Sequence, residues 1–123
     1  MKSCKLIKLI PTEQEDQIAF VQWFKVKYPK IMIAASANGG YRRLLEAKKL
    51  KEMGVSAGFP DLTIPFPKGI YHGLYIEAKK KDRGKLSWAQ IDWLNYLRDQ
   101  GYKAEVAYGL DEAIKITEEY MNL

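Results

Sequence analysis

The stretch Gly58-Phe59-Pro60-Asp61-Leu62-Thr63-Ile64-Pro65-Phe66, followed by Gly73-Leu74-Tyr75-Ile76-Glu77-Ala78-Lys79, decides the fold. Two β-rich runs flank a break at Pro67-Lys68-Gly69, so the spacing predicts two strands, 62–66 and 73–79, paired antiparallel across a short connection. Alternation along the second strand sends Leu74, Ile76 and Ala78 to one face and Tyr75, Glu77 and Lys79 to the other. One reading of Glu77 and Lys79 is an ion pair on a solvated or edge face. The other follows from Asp61, which opens the partner strand after Pro60 and is brought near Glu77 by the pairing. Two carboxylates converging on one point repel unless a cation sits between them. An all-oxygen ligand set suits Mg²⁺ best, and Lys79 beside it can stabilise a negative transition state or orient a water. That is a site suited to cleaving phosphodiesters.

Outward from this hairpin, periodicity and capping place the remaining elements. Thr12, with Glu15 three residues later, forms a capping box at the start of a helix after Pro11. At about 100° per residue Glu13, Gln17, Phe20 and Phe24 share a stripe, while Glu15 faces water. Glu13 is therefore the candidate third carboxylate. Ile31-Met32-Ile33-Ala34-Ala35 reads as a short buried strand, and Asn38-Gly39-Gly40 as a turn. A second helix is expected over about 41–53, with Gly54 just past its end. Ser87 caps a third helix, 88–100, with Gln90 at the capping-box position and Gly101 as the stop. Lys103–Tyr108 is the fourth strand, and a helix over about 111–120 finishes the chain. The order α-β-α-β-β-α-β-α is a mixed α/β sandwich with one hairpin and a crossover through the third helix.

The chain has 123 residues, 20 Lys+Arg against 15 Asp+Glu, a net charge of +5, and 47% hydrophobic residues. That length and composition fit a single domain, 1–123, with 1–11 as an N-terminal extension, and exclude disordered or collagen-like chains. It leaves little room for a separate reader module. Net positive charge is compatible with a polyanionic partner. Cys4 is the only cysteine, so an internal disulfide framework is excluded and a reduced, intracellular setting is expected. Lys5 and Lys8 break the N-terminal apolar run, and no apolar stretch reaches membrane-spanning length.

Pro60-Asp61 followed by Glu77-Ala78-Lys79 resembles the PD-(D/E)XK signature of metal-dependent nucleases. Around it, Glu13 with Gln17, Asn38-Gly39-Gly40 with Arg42, Gly54-Val55, Gly58-Phe59-Pro60-Asp61-Leu62, and Ser87 with Gln90 are similar to the VRR-NUC (virus-type replication-repair nuclease) branch. The resemblance spans about residues 12–117. It implies a restriction-endonuclease-like core with a mixed four-stranded sheet flanked by helices. It also implies Asp61 and Glu77 as principal metal ligands, the Ala78 carbonyl completing the shell, Lys79 as the catalytic lysine and Glu13 as the first-helix acid. Gln90 corresponds to a glutamine directed back to the site, and it is also the capping-box residue of Ser87.

What the resemblance implies for function is a Mg²⁺-dependent, structure-selective DNA endonuclease, with Mn²⁺ able to substitute. Stand-alone members of the family look like symmetric resolvases of branched DNA, so a homodimer acting on a Holliday-type junction is expected. The alternative is a module that keeps the fold and binds nucleic acid without chemistry. Lys80, Lys81, Arg83 and Lys85 leave the active strand and suit backbone contacts, although such a run is also an ordinary solvated loop. Asn38, in the glycine turn, and Arg42 and Arg43, after it at a helix start, are further candidate DNA contacts. Glu118 and Glu119 should turn the last helix away from DNA. His72 reads as an exposed loop residue, Trp23, Trp88 and Trp93 as core or interface packing, and Tyr71, Tyr75 and Tyr108 as stacking surfaces for bases or, as strand tyrosines usually are, as sheet cover.

Overall fold

Two helices begin with the same reciprocal device. The computed structural model describes residues 12–36, 44–82 and 84–123, and α1 (Glu13–Lys27) starts at its first capping box. There the Thr12 N–H donates to Glu15 Oε1 at 2.9 Å and the Glu15 N–H to Thr12 Oγ1 at 3.0 Å. The α3 helix (Trp88–Asp99) repeats the pattern, with the Ser87 N–H donating to Gln90 Oε1 at 2.8 Å and the Gln90 N–H to Ser87 Oγ at 3.2 Å. Each box satisfies two donors that a helix start leaves without partners.

Between them lie β1 (Ala34–Ala35), α2 (Leu44–Glu52), β2 (Leu62–Ile64) and β3 (Leu74–Lys79), and β4 (Lys103–Tyr108) and α4 (Leu110–Met121) follow. The sheet order is β1-β2-β3-β4, antiparallel at its first two junctions and parallel between β3 and β4. The parallel junction follows from the crossover through α3. The expected element order, hairpin and crossover are therefore present.

Three boundaries differ from expectation for local reasons. β2 stops at Ile64 because Pro65 has no N–H to continue a ladder. The expected buried strand 31–35 contracts to Ala34–Ala35, both exposed, while Ile31 and Ile33 pack against the core. A strand exists only where a partner exists, and β2 offers β1 just Thr63 and Leu62. α2 is seen from Leu44, since residues 41–43 lie outside those described, and it stops before Gly54, whose φ of 104° is the left-handed turn-off.

The sheet is covered on both faces, which makes three layers. Phe20 and Phe24 of α1 and Ala113 and Tyr120 of α4 bury Leu62, Ile64, Leu74 and Ile76 on one face. Leu94 and Leu97 of α3 bury Ala104 on the other, with Tyr75, Trp93 and Tyr102 packed around them. Glu77, facing the α3 side, is thus an acid on an interior strand beneath a helix. Lys27 Nζ meets Glu118 Oε2 at 3.5 Å and ties α1 to α4, an exposed pair of small energetic consequence. Trp88 is 82% exposed at the first position of α3, so of its two expected roles core packing is excluded.

Candidate active site

The ladder register brings the two acids together. β2 and β3 pair Leu62 with Ile76, Thr63 with Tyr75 and Ile64 with Leu74. Carried one residue further, the same register sets Asp61 opposite Glu77. The strand has ended there, and the Asp61 side chain replaces the missing ladder contact: its Oδ2 accepts the Ala78 N–H at 2.8 Å. The Asp61 carboxyl lies within hydrogen-bond reach of Glu77. Ser36 fixes the backbone from the other side, its N–H donating to the Asp61 carbonyl at 2.8 Å and its Oγ to the Pro60 carbonyl at 2.8 Å.

Glu77 carries the chemical tension of the site. It is 2% exposed, and burial, then the hydrogen bond and charge of Asp61, push its carboxyl up to about 9; the charge of Lys79 opposes this and that of Glu13 adds to it. Gln90 Nε2 donates to Glu77 Oε2 at 3.0 Å, while Glu77 Oε1 is buried and meets no donor among the described residues, so only a proton on Glu77 lets it share a hydrogen bond with the Asp61 carboxyl. A buried carboxylate oxygen without a partner is costly. A divalent cation held by Glu77 and Asp61 would take the place of the proton that Glu77 otherwise keeps, and would offset the repulsion between the two ionised carboxylates. The residues present therefore fit a divalent metal. Gln90 serves both roles read from the sequence, since Oε1 caps the helix and Nε2 holds the acid.

Glu13 is placed differently from the other two acids. It lies at the solvent end of the stripe that Phe20 and Phe24 bury and is itself exposed, so it acts on Glu77 through its field. Among the described residues no three His, Cys, Asp or Glu side chains form a ready-made metal cluster. The acidic centre is the pair Asp61–Glu77.

Lys79 ends β3, and among the described residues it forms no ion pair, so the salt bridge with Glu77 that would explain both charges as surface decoration is absent. The Lys79 stem is pressed by Gly84, where a Cβ would stand 2.6 Å from Lys79 Cβ. Lys80 is half-buried, and Lys81 and Lys85 are exposed. Lys81 also turns toward the start of α4, close to Gly109 and within the field of Asp16. Asn38, Arg42, Arg43 and Arg83 lie outside the described residues.

Gly58 positions α3 over this pair. Its φ is 85°, and a Cβ there would meet Ala89 C at 2.4 Å and the Gln90 nitrogen at 2.7 Å. Backbone passes backbone here, next to the residue that holds Glu77. Gly58→Ala is therefore expected to destabilise the protein by roughly 2–4 kcal/mol through strain and displacement of α3. Urea denaturation measures it, and an unchanged midpoint would contradict the close approach.

The VRR-NUC domain model matches residues 8–111. The chain belongs to the VRR-NUC family. A solved structure described as a VRR_NUC domain protein is 36% identical, covers 91% of this chain and 89% of its own length, and superposes with a TM-score of 0.78. Another, described as a VRR_NUC domain, is 20% identical over 89% of this chain and 98% of its own, with a TM-score of 0.56, and shows the shared fold. A search of curated proteins returns no match. This VRR-NUC chain is thus a nuclease-type domain on the PD-(D/E)XK-like core, a mixed four-stranded sheet with flanking helices. Among the described residues no helix is long and apolar enough to cross a membrane.

Two contributions to this VRR-NUC site are missing from the sequence reading. Ser36 carries no motif; its only signal is that the β1–β2 register, Ala35 with Leu62, sets position 36 opposite Asp61. The second is an aromatic wall on the α3 side: of its members only Tyr75 is a stacking candidate in the sequence, and the others are scattered between Phe59 and Tyr102 and converge only in the fold.

Proposed function

We propose that this VRR-NUC chain is a divalent-cation-dependent endonuclease acting on structured DNA, with Asp61 and Glu77 as the acids that hold the cation. The observation that carries the proposal is the buried Glu77 carboxyl, whose Oε1 meets no donor among the described residues, set beside the Asp61 carboxyl. The Ala78 carbonyl is a further candidate ligand, and Glu13 an outer acid that adds negative potential. Mg²⁺, or Mn²⁺ in its place, supplies charge neutralisation at the phosphate and acidifies the attacking water.

The chain's own groups do the positioning. The Ala78 N–H orients Asp61, and Gln90 orients Glu77. Lys79, with its stem confined by Gly84, presents an ammonium to the phosphate oxygen on which charge develops. Lys80, Lys81 and Lys85 contact the DNA backbone, joined by Arg83, Asn38, Arg42 and Arg43. Two copies related by a two-fold axis would present two such sites to a branched junction.

The test is incubation of purified protein with a labelled four-way junction and a matched linear duplex, in Mg²⁺ and in EDTA. Cleavage in Mg²⁺ only, faster on the junction, is expected. Binding without cleavage in either Mg²⁺ or Mn²⁺ would overturn the enzymatic reading in favour of a binding module. Equal rates on both substrates would overturn structure selectivity.

A further inference from the structure

The face of the sheet that carries Glu77 also carries an open aromatic groove. Phe59, His72, Tyr75, Trp93, Tyr96 and Tyr102 line a cleft of about 630 Å³. Its rings stand nearly perpendicular to their neighbours. Phe59 meets Tyr75 at 5.7 Å and Trp93 at 4.9 Å between centroids, Trp93 meets Tyr96 at 5.8 Å, and Tyr75 meets Tyr102 at 5.3 Å. Edge-to-face packing of this kind fixes each ring through its neighbour's edge. Tyr96 is 55% exposed, far more than a residue recruited only to fill a core.

Three of these rings are tied to the acidic site through the chain. Phe59 precedes Asp61 by two positions. Tyr75 precedes Glu77 by two on the same strand face, about 7 Å along β3 at the usual rise. Trp93 follows Gln90 by one helical turn on α3. The groove therefore begins where the acidic pair ends, and the same two elements, β3 and α3, hold both.

The chemistry of the lining selects the occupant. Among the described residues no Lys or Arg lines the groove, so it offers flat π surfaces and edges rather than partners for phosphate. The cationic groups, Lys79 and Lys80, lie at the acidic end. A wall of this composition takes the faces of nucleobases while the sugar–phosphate chain runs elsewhere. Bases within a duplex are stacked on one another and offer no face, whereas unpaired bases do. We propose that this groove holds nucleobases left unpaired, as at a branch point, in the DNA strand whose backbone lies at Asp61 and Glu77, so that the strand is open beside the cleaved bond. The proposal rests on the phosphodiester-cleaving reading above and specifies its substrate.

The test is binding in EDTA, where no cleavage occurs, so that it stands apart from the activity assay. Fluorescence anisotropy at fixed salt compares a labelled splayed-arm DNA with a blunt duplex of equal nucleotide count. The wild type is expected to prefer the splayed arm by about tenfold or more. Tyr96→Ala should cut that preference by about fivefold or more, while Tyr96→Phe, which keeps the ring, should retain it. Circular dichroism confirms that each variant is folded. The same preference in Tyr96→Ala as in the wild type would overturn the proposal. So would a dimer, seen by light scattering, that Tyr96→Ala splits without changing the preference, since the groove would then be covered by a second copy. If no DNA is cleaved in any metal, the nuclease reading fails alone and this binding result still stands or falls on its own.

Discussion

Glu77→Gln is expected to lower the cleavage rate by about 10³-fold while raising the stability of the metal-free protein at pH 8. The two effects have opposite signs because they arise from opposite forms of one group. In the proposed mechanism activity needs the ionised carboxylate as a ligand, and losing it would forfeit about 4 kcal/mol of transition-state stabilisation. Stability in the absence of metal suffers from that same ionisation. The folded protein holds the Glu77 proton up to about pH 9, against 4.5 for an ordinary glutamate. A raised carboxyl pKa contributes stability in full below about pH 4.5 and loses it as pH rises through about 9. In EDTA the thermal midpoint should therefore fall between pH 5 and pH 9. Glutamine is neutral throughout, keeps an oxygen for Gln90 Nε2, and turns an N–H₂ toward the Oε1 position beside Asp61. Its pH profile should be flatter, with a gain over wild type of roughly 1–3 kcal/mol at pH 8. Thermal denaturation across pH decides this, and a wild-type midpoint independent of pH would contradict the state assigned to Glu77.

Lys79→Met is expected to reduce single-turnover cleavage by roughly 10²–10³-fold at saturating Mn²⁺. Methionine keeps most of the stem that Gly84 confines and removes the ammonium alone. The fold should persist, because Lys79 forms no ion pair among the described residues whose loss would leave a buried charge. Binding of Mn²⁺ should survive, since the two acids remain. The substitution thus separates a lysine that stabilises the transition state from one that helps assemble the metal site. A rate within threefold of wild type would remove Lys79 from the chemistry, and a loss of Mn²⁺ binding would make its role structural.

Legibility in the sequence followed how local each determinant was. Thr12, Glu15, Ser87 and Gln90 announce two helix starts by spacing alone, and both capping boxes form. Alternation through Leu74–Lys79 put Glu77 and Lys79 on one face, and the antiparallel pairing that brings Asp61 beside Glu77 was implied by the short connection. Exposure was harder to read. Glu13 shares a stripe with Phe20 and Phe24, yet in the first turn of the helix it stays in water. Glu77 sits under a helix rather than on a solvated face because α3 returns across it, a consequence of the crossover that strand patterning does not contain. The Asp61–Ala78 bond depends on register to a single residue, and the aromatic groove on the meeting of a loop, a strand and a helix. Non-local contacts of that kind leave no periodic trace.

The pair Asp61–Glu77 as a cation site is tested most directly by calorimetric titration of the purified protein with Mn²⁺ at pH 7.5, repeated in buffers of different ionisation enthalpy. Because Glu77 holds its proton in the metal-free fold, binding should release about one proton per Mn²⁺ bound, and Asp61→Asn and Glu77→Gln should each weaken binding by about 10²-fold or more. No detectable Mn²⁺ binding, or binding of equal strength in both variants, would contradict the account.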